Sequence, residues 1–529
     1  MSGEAAVRIQ EIDLSARVAA FEGVFGAICV QAKRGNSSIP TLATNNRQYL
    51  DRYTAKGRVE VGEDLAHYSA LSYLSRSDKL WVKRVVKDAL FGGISVKETG
   101  SSDPNTPLTA GFASPDAHTP VTAEEALLIY ASSEGAWSND IGVRITTHLD
   151  DADLVAEEDA FLIEVFRREF PGQPVESFLC SRIVGKRDGF GRNMFVEDVL
   201  ESSSYIRAIN NDLIDEEEYP KSQSAILYLD AGDDGDTPSA SDMISAASVF
   251  SNPEEYPVTL FLDGGYTIPA YQIALNSIAT QRQDSIAILS TPIQAEISSD
   301  AVTELSNYRK TDLNLNSSYS ALYSPHVRVQ DQFNDREIYI APDGFVGGSI
   351  SLNANEREIW FPPAGYRRGV LDVLGVSRVF SSGERSALYN IGINPIKSSA
   401  GRGIVIWGQK TLLTRPSLLN RLNVRLLLII IGPAIKEFLE DYLFEINDRF
   451  TRAEVDEKVS AYLRDVQGRR GLERFQVVCD ESNNPPQVVE NNQMVCDVLL
   501  TPTSSAEDIP LRIVLVSGDT SFGDAAQAI

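Results

Sequence analysis

The apolar positions of this chain change rhythm from region to region, and each change marks an element. Residues 6–13 (AVRIQEID) roughly alternate apolar and polar, the period-two mark of a strand, at the extreme N-terminus. Residues 24–30 and 80–86 (LWVKRVV) read as further strands, with a helix over 64–75 whose Leu65, Tyr68 and Leu71 share one side. Between about 98 and 220, short strands such as 161–167 and 177–183 stand between turn clusters, after a Ser/Pro/Gly/Asp-rich stretch at 101–120. Near Ala225 the pattern becomes strand 226–230, helix 242–250, strand 258–263, amphipathic helix 269–282 and strand 285–290. Such alternation implies an α/β unit with parallel pairing.

Two long helical stretches, 417–446 and 452–467, follow Trp407. Thr451-Arg452-Ala453-Glu454 has the form of a capping box opening the second. Val455, Val459, Tyr462, Leu463 and Val466 make its apolar stripe, and Gly468 and Gly471 end it. Gly432-Pro433 interrupts the first; proline lacks the N–H and clashes with the preceding turn, so a kink or break is expected there. Strands are expected at 474–479, 494–500 and 510–517.

The 529 residues imply about two to four domains. A formal net charge of −26 argues against wrapping nucleic acid, which needs a basic surface. From Glu98 to Glu255 there are 32 acids and 9 bases, so nearly all the excess charge sits in one central segment. Such a run is ordinarily a solvated face; the near-neutral C-terminal part is then left to face a partner. The 4 cysteines (Cys29, Cys180, Cys479, Cys496) have no metal spacing; a reduced fold is the default and a cross-link between subunits the alternative. Arg8 interrupts the start and no signal-type apolar region follows, so synthesis in the cytoplasm is expected. The most apolar run, 426–431, is far short of the ~20 residues that span a bilayer.

Candidate chemistry is sparse. Asp263-Gly264-Gly265 follows a strand and precedes a helix, as a phosphate turn would, but it lacks G-x-G-x-x-G and reads better as a structural turn. Lys186–Gly191 (KRDGFG) fits a tight turn. His67, His118, His148 and His326 are scattered, and acidic pairs such as Asp150-Asp151 sit in polar runs. No catalytic residue, cofactor site or metal site is expected; a nucleotide-binding α/β enzyme is the rival reading, resting on 263–266.

Motifs in order along the chain resemble the contractile tail sheath family of tailed bacteriophages. They are Ile406–Leu412 (IWGQKTL), Arg421–Arg425 (RLNVR), Phe444–Asp448 (FEIND), Phe450-Thr451-Arg452, Val478-Cys479-Asp480, Asn483-Asn484-Pro485 and Ser521-Phe522. Gly135–Ile141 (GAWSNDI) looks like the family's GAWGN segment, and Ala321–Pro325, Ala341–Gly344 and Pro362–Gly365 fall in family order. The likeness is weakest at 98–130 and 145–220. It implies a multidomain α/β and α+β fold: an N-terminal arm (1–20) joining an inner α+β domain (378–529), a middle α/β domain (21–97 and 221–377), and an outer β-rich insertion (98–220).

The resemblance further implies a non-enzymatic virion subunit, made and assembled in the host bacterial cytoplasm. It polymerises helically with copies of itself around a tail tube and contracts to drive the tube through the host envelope. Tail tube, baseplate and terminator proteins are the implied partners, with no direct nucleic acid and no membrane insertion. The sheath of a phage-derived bacterial injection particle fits equally. In this family terminal arms add strands to neighbouring subunits. The arms here would be 6–13 (Val7, Ile9, Ile12) and 510–517 (Leu511, Ile513, Leu515), unless both complete the chain's own sheet. An inner-domain helix attaches to the tube, which points to Arg452, Lys458, Arg464, Arg469 and Arg470, unless these merely face water beside Glu454, Asp456, Glu457 and Asp465.

Overall fold

The computed structural model describes residues 23–115, 124–150, 159–215, 219–507 and 509. Both expected arms, 6–13 and 510–517, lie outside the described residues. The chain divides into two compact units, Met1–Glu437 and Phe438–Ile529.

In the first unit, β1 (Gly26–Val30), β2 (Thr41–Ala43), helix α1 (Ala66–Leu74) and β3 (Leu80–Arg84) come first. Eight strands follow: β4 (Gly93–Lys97), β5 (Thr106–Pro107), β6 (Glu125–Ala131), β7 (Ile141–Thr147), β8 (Phe161–Arg167), β9 (Glu176–Cys180), β10 (Ile206–Asn210) and β11 (Gln223–Tyr228). The chain returns through β12 (Leu260–Leu262), helix α2 (Pro269–Arg282), β13 (Ile286–Ser290) and β14 (Ser320–Ser324). Then come β15 (Val327–Asp331), β16 (Arg336–Ile340), helix α3 (Asp343–Glu356), β17 (Val370–Leu371), β18 (Gly375–Val376), β19 (Ile393–Ser399) and β20 (Gly403–Ile406).

Nine strands form one sheet in the order β17-β20-β19-β14-β13-β12-β1-β3-β2. From β3 to β19 every pair is parallel. All residues of β1, β12, β13 and β14 are buried, as parallel strands covered on both faces must be. On one face Ala27, Phe261, Ala287 and Leu289 join a core with Met243, Tyr271, Leu275 and Ala279. On the other face α3 packs on α1 almost backbone to backbone. A Cβ on Gly344 would lie 2.1 Å from the Ser69 carbonyl oxygen, and one on Gly347 would lie 2.8 Å from Leu262. Only glycine permits that approach.

The outer strands make two antiparallel four-stranded sheets, β10-β6-β4-β5 and β11-β7-β8-β9. Alternate residues of both, such as Leu127 and Ile129 against Ile163 and Val165, share one core. Two guanidiniums join this region to the large sheet. Arg84, 1% exposed, donates to the carbonyls of Ala32 (2.7 Å), Gly35 (2.9 Å), Lys33 (3.0 Å) and Glu134 (2.9 Å), and pairs with the Glu134 carboxylate at 3.4 Å. Arg34 lies 4.6 Å from the rings of both Trp137 and Tyr205.

Helix α4 (Leu422–Glu440) corrects two expectations. It begins later and ends earlier than 417–446, and of the kink or break expected at Gly432-Pro433 it excludes the break, since the helix continues through both residues. An interior proline costs about 3 kcal/mol. Burial of Leu426, Leu427, Ile429 and Ile431 on its N-terminal side holds the helix against that cost.

Candidate assembly surface

The second unit holds helix α5 (Arg449–Gly468) and the antiparallel pair β21 (Leu472–Val478) and β22 (Asp497–Pro502). The helix starts three residues before its expected start at 452. Its cap is Asp448, whose carboxylate accepts from the amides of Phe450 and Thr451, both at 2.9 Å. A carboxylate satisfies orphan donors and also meets the positive end of the helix dipole, so it outcompetes Thr451 for the role. The bonds from the Thr451 and Phe450 amides lower the Asp448 pKa, with burial opposing them. Val455, Val459, Tyr462, Leu463 and Val466 are buried, as their spacing predicts.

Beneath this helix the sheet has only two strands among the described residues. Such a pair is marginal by itself, because each strand leaves a row of donors and acceptors unpaired. Leu499 on β22 is 55% exposed. The connection before α5 also exposes Leu443, Phe444 and Ile446, and the first turn of α5 exposes Phe450. Sequence reading missed this apolar group because it placed 443–446 inside a helix.

The five basic residues do not form one patch. Arg452 is buried and donates to Asn447 Oδ1 at 3.0 Å. Lys458 pairs with Asp441 at 2.8 Å and lies over the rings of Phe438 and Tyr442. Arg469 pairs with Asp465 at 2.6 Å, while Arg464 and Arg470 are exposed. Six-residue spacing places Arg452, Lys458 and Arg464 roughly 120° apart around a helix of about 3.6 residues per turn. Arg464, Arg469 and Arg470 lie near the C-terminal end of the helix, where the dipole favours cations.

The rival nucleotide site is filled by the protein itself. Asp263 ends β12 at the point where the strand order reverses, the usual crevice for a ligand in such sheets. Its carboxylate accepts from the Gly265 amide (3.0 Å), the Ser290 amide (2.6 Å) and Gln272 Nε2 (2.7 Å). The Gly264 amide donates to Asp343 at 2.8 Å. The amides that would cradle a phosphate are thus bound to two carboxylates, whose charge opposes an anion. The mouth of the crevice is closed by Tyr266, whose hydroxyl contacts Asp64 and lies 3.1 Å from the Gln31 amide. Burial raises the Asp64 pKa. The turn at 186–191 is tight as expected, with Asp188 accepting from the amides of Phe190 and Arg192 at 2.9 and 2.8 Å. All four cysteines are free thiols, and no group among the described residues could hold a metal ion.

Comparison with known proteins gives this architecture a context. The phage tail sheath protein central domain matches residues 236–412, and the phage tail sheath C-terminal domain matches 414–515. The tail sheath protein of Vibrio phage KVP40 is 30% identical over 379 residues, 67% of this chain and 55% of that protein. The chain spans about half the length of the curated relatives it matches. The sheath tail protein of Listeria innocua superposes with a TM-score of 0.56 at 10% identity, covering 91% of this chain and 96% of that one. The helical sheath of the anti-feeding prophage, in its contracted state, superposes at 0.53 and 14% identity, covering 97% and 99%. At those identities the likeness establishes the fold. Two consecutive sheath domains, found by sequence within a fold that sheath proteins share along nearly the whole chain, make this chain a member of the phage tail sheath family.

Proposed function

We propose that the chain is the repeating subunit of a contractile phage tail sheath, assembled helically around a tail tube and acting by mechanical rearrangement without catalysis. The observation that carries the reading is that the described residues of the second unit make a sheet of two strands. A sheet this small gains most from strands supplied by other copies, and strand addition holds through main-chain hydrogen bonds while domains rotate. The arms 6–13 and 510–517, with Val7, Ile9, Ile12, Leu511, Ile513 and Leu515, are the strands proposed to be donated. Contacts of this heterologous kind generate open helical filaments. Contraction is then a switch between two packings of the same subunits and needs no nucleotide, in keeping with a crevice occupied by Asp263 and Asp343.

The proposed partners are other copies, the tube, baseplate and terminator proteins. The proposed place is the virion after assembly in the host cytoplasm. No described helix is long and apolar enough to cross a membrane. Electron microscopy of the purified chain, with and without residues 1–14, tests the reading. Tubes from the full chain and folded, unpolymerised protein from the truncation are expected. Discrete small particles from the full chain would overturn the sheath reading; ordinary tubes from the truncation would remove the N-terminal arm as the linker.

A further inference from the structure

Two of the four cysteines meet at one end of the second unit's sheet. β21 and β22 run antiparallel, and Val478 opposite Asp497 is the last pair of the ladder at that end. One step further along the same register, Cys479 faces Cys496. The step is fixed from the other side as well. Asn484 donates to the carbonyls of Asp480 at 3.1 Å and Val495 at 2.9 Å, and accepts from the Val495 amide at 2.7 Å. Asn483 ties the strands again, donating to the Val478 carbonyl at 2.7 Å and to the Asp497 carboxylate at 3.0 Å. The cysteine pair is thus held between the last ladder pair and an asparagine bridge.

Facing residues of an antiparallel pair lie about 4.5 or 5.5 Å apart at Cα, with their side chains on one face. Both separations fall inside the roughly 4.4–6.8 Å that a disulfide spans. The Cys479 and Cys496 thiols are in hydrogen-bonding contact, so the sulfurs already face each other. Cys479 is 4% exposed and Cys496 is half-buried, so Cys496 is the sulfur that a reagent in solution meets. Cys29 and Cys180 are buried in separate cores of the first unit. Burial pushes the Cys29 thiol up to about 12, with Tyr271 opposing, and buried thiols of this kind are inert.

We propose that Cys479 and Cys496 form a redox-sensitive clamp, closing a disulfide within one chain in an oxidising medium. The oxidant is a small disulfide of the glutathione class. The Cys496 thiolate attacks one of its sulfurs, the reagent's S–S bond breaks, and the departing thiolate takes up the proton that Cys496 gave. The Cys479 thiolate then attacks the Cys496 sulfur and expels the second small thiolate, which takes up the proton from Cys479. Two protein thiols are oxidised and one external disulfide is reduced to two thiols. The new bond lies between β21 and β22 and uses no hydrogen-bonding group of their outer edges, which stay open to a further strand. It ties together a pair of strands that is marginal by itself. The inference does not depend on the sheath reading.

The test incubates the folded full chain with excess oxidised glutathione, then quenches with acid, alkylates, digests and reads the peptides by mass spectrometry. A peptide pair joined through Cys479 and Cys496 within one chain is expected, with Cys29 and Cys180 still reduced. Hydrogen exchange of peptides covering β21 and β22 should then slow about a hundredfold, the effect of closing a loop of this length, while β12 and β13 stay unchanged. Cys496→Ser should show no slowing with the same oxidant. Glutathione left on Cys496 beside a free Cys479 overturns the inference. So do chains joined to one another through Cys496, or both thiols still reduced in the folded chain. A joined pair whose strands exchange as fast as before would be a disulfide but no clamp, and the proposal would be wrong. If Cys496→Ser fails to fold, re-reduction of the oxidised natural chain is the control, and its exchange must return to the original rate. Tube formation enters none of these readouts, so the inference and the sheath reading fail separately.

Discussion

Arg84 is the single side chain whose loss should most loosen the outer sheets from the large one. It is 1% exposed and holds four carbonyls and one carboxylate. Burial lowers its pKa to about 10, opposed by the charge of Glu134, so the guanidinium stays charged at neutral pH. Arg84→Met keeps most of the apolar stem and removes every donor. It leaves the Glu134 carboxylate buried without its cation, and breaking a buried pair in this way costs about 3–5 kcal/mol. The four carbonyl bonds are part of that figure, because bonds made by one group are not additive. Hydrogen exchange of peptides covering 125–147 reads the effect locally, which matters in a chain of several units where a global unfolding energy is ill defined. Exchange by local opening should quicken by roughly two to three decades. Adding Glu134→Gln should restore part of the protection, since it removes the orphaned charge. Protection in Arg84→Met within about tenfold of the natural chain would refute the seam described here.

Two further outcomes are expected. Asp263 is pushed up to about 7, by burial first and by the charge of Asp343 second. Unfolded, it titrates near its ordinary 3.8, so its contribution to stability is full below that value and is lost as pH rises toward 7. Asp343→Asn removes the neighbouring charge, so urea midpoints should fall less across that window than in the natural chain; a steeper fall contradicts the pairing. Reversing Arg464, Arg469 and Arg470 to Glu should weaken assembly on tubes and make it more salt-sensitive, by about 0–1 kcal/mol per exposed pair. Natural assembly on tubes at low and high salt would exclude this cluster. Arg452 and Lys458 are spared because the second unit already uses them.

Legibility in the sequence followed the range of the physics. Helix 269–282 was readable because Pro269 opens it and its apolar face repeats at helical spacing. The parallel strands were readable because burial on both faces turns them into unbroken apolar runs such as IAILS. Asp448 against Thr451 was a contest between two legitimate caps, which charge and helix length decide and local pattern does not. Arg84 left a trace, a guanidinium inside the apolar run LWVKRVV, yet its partners at 32–35 and 134 are set by topology. The apolar group Leu443, Phe444 and Ile446 left none, because its spacing fits a helix that ends before it does.

The two units differ in what they ask of a neighbour. The first has large buried cores on both sides of a nine-stranded sheet and a further core between the outer sheets, enough to be stable by itself. Among the described residues the second sets its long helix α5 against a two-stranded sheet, and Leu443, Phe444, Ile446 and Phe450 stay exposed. A domain so built gains stability by mass action when another chain pairs with its edges. On the proposed reading, the part of the subunit that completes its sheet only in the polymer is the part through which copies are linked. Assembly and local folding are then one equilibrium. Hydrogen exchange in β21 and β22 should therefore slow sharply on polymerisation, while exchange in β12 and β13, already buried on both faces, should change little. Equal exchange of β21 and β22 in monomer and polymer would show that neighbours add no strand there.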